Sequence, residues 1–297
     1  MKENTLTNMS YSWKSFFGNL RFGVKIFVIA IVLAIVLRVF LFASFKIPSG
    51  SMEPAIMTGD YIIVNKQIPG PRIVKNFFSL SNGEKPLIKR IKGYRTIKRN
   101  DVLVFNLPYQ DGIQLNLNLY YAKRCVAIPG DTFYIDNGIY KVKNSTDRLG
   151  NYENQSAVSQ REDSTFQPVI YNCFPIDPAY HWTIKHFGPL YVPKKGDTLL
   201  LDTFNIKVYQ NPVSYETGKL ITIENSHILL GDSIIDNYTF QLNYYFMAGD
   251  FVFDSRDSRY WGLLPEDHIV GKASVIWQSK DINTGKRRWE RTLKTIK

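Results

Sequence analysis

Three short stretches of the chain hold residue types from which nucleophilic chemistry can be built. The first is Ile47-Pro48-Ser49-Gly50-Ser51-Met52-Glu53-Pro54, where two prolines bracket two serines around a glycine. Proline restricts the backbone and glycine allows a tight turn, so the loop exposes its hydroxyls. A serine hydroxyl is a weak nucleophile at neutral pH and needs a base beside it. On its own, Ser-Gly-Ser more often marks a plain turn. The second stretch is Tyr121-Ala122-Lys123-Arg124-Cys125-Val126-Ala127-Ile128-Pro129-Gly130-Asp131. A lysine serves as a base only when neutral, and burial among apolar residues can pull its pKa down from about 10.4. Reaching roughly 7–8 costs about 1.36 kcal/mol per unit, so the fold must supply several kcal/mol. Without such burial, Lys-Arg on a strand is a solvated edge. The third stretch, Gly249–Gly262, contains Ser255, Asp257 and Arg259. The two charges could lock a loop and the hydroxyl could orient a base; the plainer reading is a polar surface turn with Trp261 anchored in the core.

Other chemistries have less support. The four histidines, His181, His186, His227 and His268, are scattered, so a Ser-His-Asp triad has no local backing. His181 and His186 flank Trp182 and read as surface or packing residues. With two cysteines, Cys125 and Cys173, there is no disulfide scaffold and no zinc-like spacing. No metal or other cofactor is expected. Whether the two cysteines pair is left open.

The elements that must position these residues begin with an apolar run. Ile26–Phe45 reads IFVIAIVLAIVLRVFLFASF, with Arg38 its single charge. Twenty helical residues rise about 30 Å, the thickness of a bilayer core. No A-x-A site follows, so the run is expected to be an uncleaved transmembrane signal anchor. Arg38 costs roughly 2.5–3.5 kcal/mol at a bilayer centre, less if it snorkels to the far headgroups. Lys14, Arg21 and Lys25 precede the run, which keeps residues 1–25 cytoplasmic and everything after Lys46 outside. That placement removes nucleic acid as a partner, although 37 Lys+Arg against 26 Asp+Glu leave a net charge of +11. The basic run Lys85–Arg99 is read instead as a strand or loop near anionic headgroups.

After the anchor, β-rich runs recur behind Gly-Asp or Asn-Asp pairs, at Gly59-Asp60, Asn100-Asp101, Gly196-Asp197 and Gly249-Asp250. Such turns followed by branched residues predict a mostly β, antiparallel, barrel-like core. No later stretch has helical periodicity of useful length, and the polar Asn144–Asp163 reads as a loop or flap. The expected order is anchor 26–45, catalytic core 46–131, an inserted β-rich subdomain 132–243, core again over 244–279, and a frayed charged tail 280–297.

Together the segments resemble the bacterial type I signal peptidases, Ser/Lys proteases that remove signal peptides from exported proteins. The matching blocks are PSGSMEP after the anchor, GDYIIVNK (Gly59–Lys66), YAKRCVAIPGD, and DSRDSRYWG leading to Gly271-Lys272-Ala273. The resemblance implies that Ser51 is the acylating nucleophile and Lys123 the neutral general base. Ser49 and the Ser51 N–H would form the oxyanion hole, a kind of donor whose loss costs about 10²–10³ in rate. Ser255 would orient Lys123, Asp257 and Arg259 would hold that loop, and Met52 and Pro48 would border the substrate groove. It further implies preproteins bound as extended strands and cut after small residues, Ala-x-Ala in type. The site would face outward from the cytoplasmic (inner) membrane of a bacterium, near the export machinery. One departure stands out: where the family has Asn and a basic residue, then a second Asn, this chain has Phe251, Val252 and Asp254. The alternatives are a silent anchored paralogue that binds signal peptides or secretion partners, and a relative of the self-cleaving Ser/Lys repressors. Those repressors are cytoplasmic and carry a DNA-binding domain where this chain has its anchor.

Overall fold

The computed structural model describes residues 3–76, 86–108, 115 and 117–297, with side chains from residue 20 onward. A helix over Glu3–Val36 continues as a wider π-helical turn, Leu37–Leu41. Leu20–Leu41 is the single helix among the described residues long and apolar enough to cross a membrane; it lies exposed, touched at its last turn by Lys66. The expected span ran to Phe45, and here the structure differs. Phe42–Lys46 is a strand, because its backbone pairs in register with Asp60–Asn65, from Phe42 opposite Asn65 to Lys46 opposite Tyr61. Alternating exposure along those five residues fits a strand at a sheet edge.

The expected mostly β, antiparallel core is present. Its main sheet runs in the order Phe42–Lys46, Asp60–Asn65, Ile269–Ser279, Val102–Asn106, Tyr120–Ala127, Tyr244–Ala248, Leu264–Pro265. Every neighbouring pair is antiparallel, and bulges in the Ile269–Ser279 and Tyr244–Ala248 pairings let the sheet curl. Central strands are apolar on both faces, which requires a layer on each side. Val102 and Val104 join one core cluster with Ile47, Met52 and Ile62, while Leu103 and Phe105 join another with Cys125 and Met247. Tyr244, Phe246 and Ala248 face a third cluster built largely from residues 133–240. There Phe133 stacks on Phe246 with ring centroids 4.4 Å apart. Cys125 and Cys173 are both buried and free.

The Gly-Asp and Asn-Asp pairs share one turn. Gly59, Asn100, Gly130 and Gly196 all have positive φ. The following Asp carboxylate accepts the amide three residues back, at Met57, Lys98, Ile128 and Lys194, at 2.8–3.0 Å. Gly249-Asp250 breaks the pattern. Its strand is Tyr244–Ala248, before the pair, and Val252–Asp254 is a short 3₁₀ turn, so the strand expected after Gly249 is corrected.

Besides the one-turn helices Pro168–Tyr171 and Ser258–Trp261, two longer helices depart from the sequence expectation. Tyr152–Gln160 lies in the stretch read as a flap and is N-capped by Asn151, whose side chain accepts from the Asn154 amide at 2.9 Å. Its inward face is only Gln155 and Val158, too sparse to show a period. Ile206–Thr217 carries Pro212 internally and ends at left-handed Gly218. In the basic run, Lys85 lies outside the described residues, Ile88–Arg90 is a strand, and Arg90, Arg95 and Arg99 bond within the chain.

The C-terminal tail is docked, not frayed. Lys294–Thr295 adds to the main sheet beside Val275 and Ile276, and Ile296 is buried. Arg291 donates to Asp60 Oδ2 at 2.6 Å, and Ser279 Oγ donates to Oδ1 at 2.6 Å. Burial alone would raise the Asp60 carboxyl; the bonds from Arg291, Ser279 and the Met57 amide outweigh it and hold it below the usual range. That stability is present above the ordinary carboxylate pKa and is lost as pH falls through the lowered one. Arg291→Met should leave buried Asp60 with no cation nearer than Arg288, 3.7 Å away, at a cost of about 3 kcal/mol in denaturant unfolding. The double variant with Asp60→Asn should recover part of that loss; an unchanged midpoint in Arg291→Met would show the contact to be idle.

Candidate active site

The Ser51 loop is held down on both sides. Ile47 and Met52 are buried in the same apolar cluster, with relative exposures of 7% and 2%. Backbone bonds from Ile47 to Asp60 and from Gly59 to Ile47, both 2.9 Å, tie its start to the sheet. Pro48 and Ser49 stay exposed, and Ser51 lies between. Met52 thus forms the floor of the loop.

Lys123 sits on the Tyr120–Ala127 strand, opposite Leu103 and only 3% exposed. Its Nζ is hydrogen-bonded to Ser51 Oγ. Burial pulls its pKa down from 10.5 to about 8; the Asp257 charge opposes this and the Arg259 charge adds to it. Among the described residues the two segments, 72 positions apart, meet at this one bond.

The Gly249–Gly262 loop forms the third wall. A Cβ on Gly249 would lie 2.1 Å from Ser255 Oγ and 2.6 Å from the Ser51 carbonyl oxygen, so only glycine fits there. Phe251 N–H donates to that same Ser51 carbonyl at 3.1 Å. Asp257 is fully buried and collects the Gly249 amide, the Ser255 hydroxyl and two Arg259 guanidinium bonds, all at 2.8 Å. Burial would push its carboxyl up, but Arg259 outweighs this and holds it low. Ser255 therefore donates to Asp257, and no hydrogen bond joins it to Lys123. Its donation leaves lone pairs on Oγ, while the charges that reach Lys123 from this loop are foremost that of Asp257, moderated by Arg259, and then those of Asp250 and Asp254.

A groove of about 420 Å³ runs past these groups, bordered by Ser49, Ser51, Lys123, Val104, Tyr121 and Asp254 among others. Ser49 Oγ and the Ser51 N–H donate to no described residue, so both remain available to an incoming oxygen. Sequence reasoning missed the pair Arg124–Asp250, a two-bond contact at 2.6 and 2.7 Å that fixes the loop to the strand next to Lys123. The signal was the Gly-Asp at 249–250 that does not open a strand. It also missed Asp254, whose exposed carboxylate borders the groove. His181 and His186 line a separate cavity.

Keeping Lys123 buried costs stability. Below pH 8 it is protonated folded and unfolded, so the full penalty of about 3 kcal/mol applies; the penalty fades between about pH 8 and 10.5. Lys123→Met should therefore unfold at higher denaturant than the parent at pH 7, with the gap closing by pH 10.5. A variant less stable at pH 7 would contradict a desolvated lysine.

The chain is similar to known proteins over most of its length. The chain is 31% identical over 263 residues to the signal peptidase I of Buchnera aphidicola subsp. Acyrthosiphon pisum, covering 84% of this chain and 72% of the relative. It is 30% identical over 298 residues to the signal peptidase I of Haemophilus influenzae, covering 90% and 73% respectively. To that of Pseudomonas aeruginosa it is 28% identical over 265 residues, covering 86% and 71%. The family described as signal peptidase, peptidase S26, matches residues 20–278. With that match spanning most of its length, the chain belongs to the S26 signal peptidase family.

Proposed function

We propose that the chain is a membrane-anchored serine endopeptidase that removes N-terminal signal peptides from exported preproteins after small residues, Ala-x-Ala in type. The observation that carries this reading is the buried Lys123 amine bonded to Ser51 Oγ at the edge of an open groove. Neutral Lys123 takes the Ser51 hydroxyl proton as Oγ attacks the scissile carbonyl. The Ser51 N–H and the Ser49 hydroxyl donate to the oxyanion. The lysine ammonium then protonates the leaving amine, which departs as the mature protein's new N-terminus. Water, deprotonated by the same lysine, hydrolyses the acyl-enzyme and frees the signal peptide. Lys123 Nζ then returns the water's proton to Ser51 Oγ, so every proton passes through one amine and no cofactor is called for.

Anchoring rests on the exposed Leu20–Leu41 helix, and orientation on Lys14, Arg21 and Lys25 before it. In this reading the N-terminus is cytoplasmic and the catalytic sheet lies on the outer, periplasmic face of the bacterial inner membrane. Its partners there are preproteins, the bilayer and the neighbouring export machinery. The Phe251–Asp254 departure leaves the contacts among Gly249, Ser255, Asp257 and Arg259 in place, which favours an enzyme over a silent binder.

Purified full-length chain in detergent should cleave an Ala-x-Ala preprotein, and Ser51→Ala or Lys123→Ala should lower the rate by about 10³-fold or more. Equal rates in all three would sink the assignment. The rate should climb as pH rises through about 8, because the base must be unprotonated. Arg259→Met should move that limb to higher pH, since it removes the cation that offsets Asp257. A limb unmoved in a folded Arg259→Met would refute the balance of charges.

A further inference from the structure

A second cavity, of about 870 Å³, opens where the apolar helix gives way to the sheet. Arg38, Lys66 and Arg72 border it, with Phe42, Ile63 and Val270 among its apolar surfaces. No carboxylate lines it among the described residues, and none forms an ion pair with these three cations. Lys66 Nζ donates to the backbone carbonyls of Arg38 and Val39 at 2.8 and 3.3 Å, which uses two of its three protons. Arg72 Nη1 donates to the Asp267 and His268 carbonyls at 2.9 and 3.1 Å. The nearest acid behind it, Asp267, is already held by His268 and Tyr215. Burial and the adjacent Arg72 and Arg38 charges push the Lys66 pKa down; burial and Arg90 bring Arg72 to about 10. Cations gathered in one partly dry cavity repel each other unless an anion joins them.

The surroundings say which anion. The cavity adjoins the last turn of the helix, whose exposed Val36 and Val39 continue its apolar wall outward. Aromatic side chains ring the same level: Phe42 and Tyr120 are each 44% exposed, and Trp277, 39% exposed, donates to Ser44 Oγ at 2.8 Å. Phe, Tyr and Trp so placed mark a membrane–water boundary. A free phosphate would use the cations and leave the apolar wall idle, whereas a phospholipid would use both.

We propose that this cavity binds the phosphate of an anionic phospholipid, with Arg38, Lys66 and Arg72 around the headgroup and an acyl chain along the helix. The proposal rests on the anchored reading of the helix and is independent of the Ser51–Lys123 chemistry. The test uses the full chain in an uncharged detergent, mixed with phosphatidylglycerol or phosphatidylcholine, with retained lipid read by native mass spectrometry. Phosphatidylglycerol should be retained in preference, and Arg38→Gln/Lys66→Gln should reduce its retention by about tenfold or more. The charge-keeping pair Arg38→Lys/Lys66→Arg should retain it, and melting temperature in the lipid-free detergent shows that each variant is folded. If the glutamine variant does not fold, the charge-keeping variant and the two lipids on the parent chain decide. Equal retention of both lipids, undiminished retention in a folded glutamine variant, or displacement by millimolar inorganic phosphate would each overturn the proposal. Cleavage is not the readout, so failure here and failure of the protease reading are separable.

Discussion

A lysine stays neutral near pH 8 only where water is kept from it and where no unopposed negative charge stands close. The fold meets both conditions at Lys123. Its strand is third from one edge of the curled sheet, flanked by Val102–Asn106 and Tyr244–Ala248, both buried throughout. The negative charge is subtler. Asp257 is needed to hold the Gly249 amide and the Ser255 hydroxyl, yet a lone buried carboxylate would favour the ammonium form of Lys123. Arg259, fully buried and doubly bonded to Asp257, offsets that field. The ion pair thus performs two jobs, scaffolding the loop and limiting the negative charge that Lys123 experiences.

This constraint falls unevenly along the loop. Phe251 and Phe253 pack against each other with centroids 6.2 Å apart, and Phe251 also offers its amide to Ser51. Phe253 also stacks on Phe166, with centroids 6.3 Å apart, whereas position 249 admits no side chain at all. Asp250 looks like the carboxylates at 60, 101, 131 and 197 but serves differently. Those four close their own turns, while Asp250 reaches across to Arg124.

That difference marks how far the residues could be read without coordinates. Local chemistry was legible: the Pro-bracketed serines, the lysine among apolar neighbours, and the Asp-x-Arg at 257–259 each sit within a few positions of one another. Branched runs behind Gly-Asp and Asn-Asp turns also made the fold class legible, because such turns depend on contacts within four residues. Long-range choices were hidden. Phe42–Lys46 is apolar enough to extend a helix, and only the backbone of Asp60–Asn65 recruits it as a strand. The tail after Ser279 looks merely charged until Arg291 is seen to meet an aspartate 231 positions earlier. Ile206, Tyr209 and Val213 do fall on one helical face, but with Pro212 beside them the period is too weak to stand out.

The early end of the helix has a mechanical consequence. No linker separates the apolar helix from the main sheet: the chain leaves the π-helical turn at Leu41 and enters the sheet at Phe42. Lys66 grips the carbonyls of that turn from the neighbouring strand's end. Such a junction restricts hinge motion between the two parts, so the height of Ser51 above the helix end is set by a five-residue strand and a short loop. Five extended residues span about 16 Å. In the proposed reaction a preprotein faces the same geometry, since its own apolar helix must end before an extended segment can reach the groove. A small-residue site placed a few extended residues beyond that helix then arrives at Ser51 without bending either partner, and the enzyme's own anchor serves as the ruler.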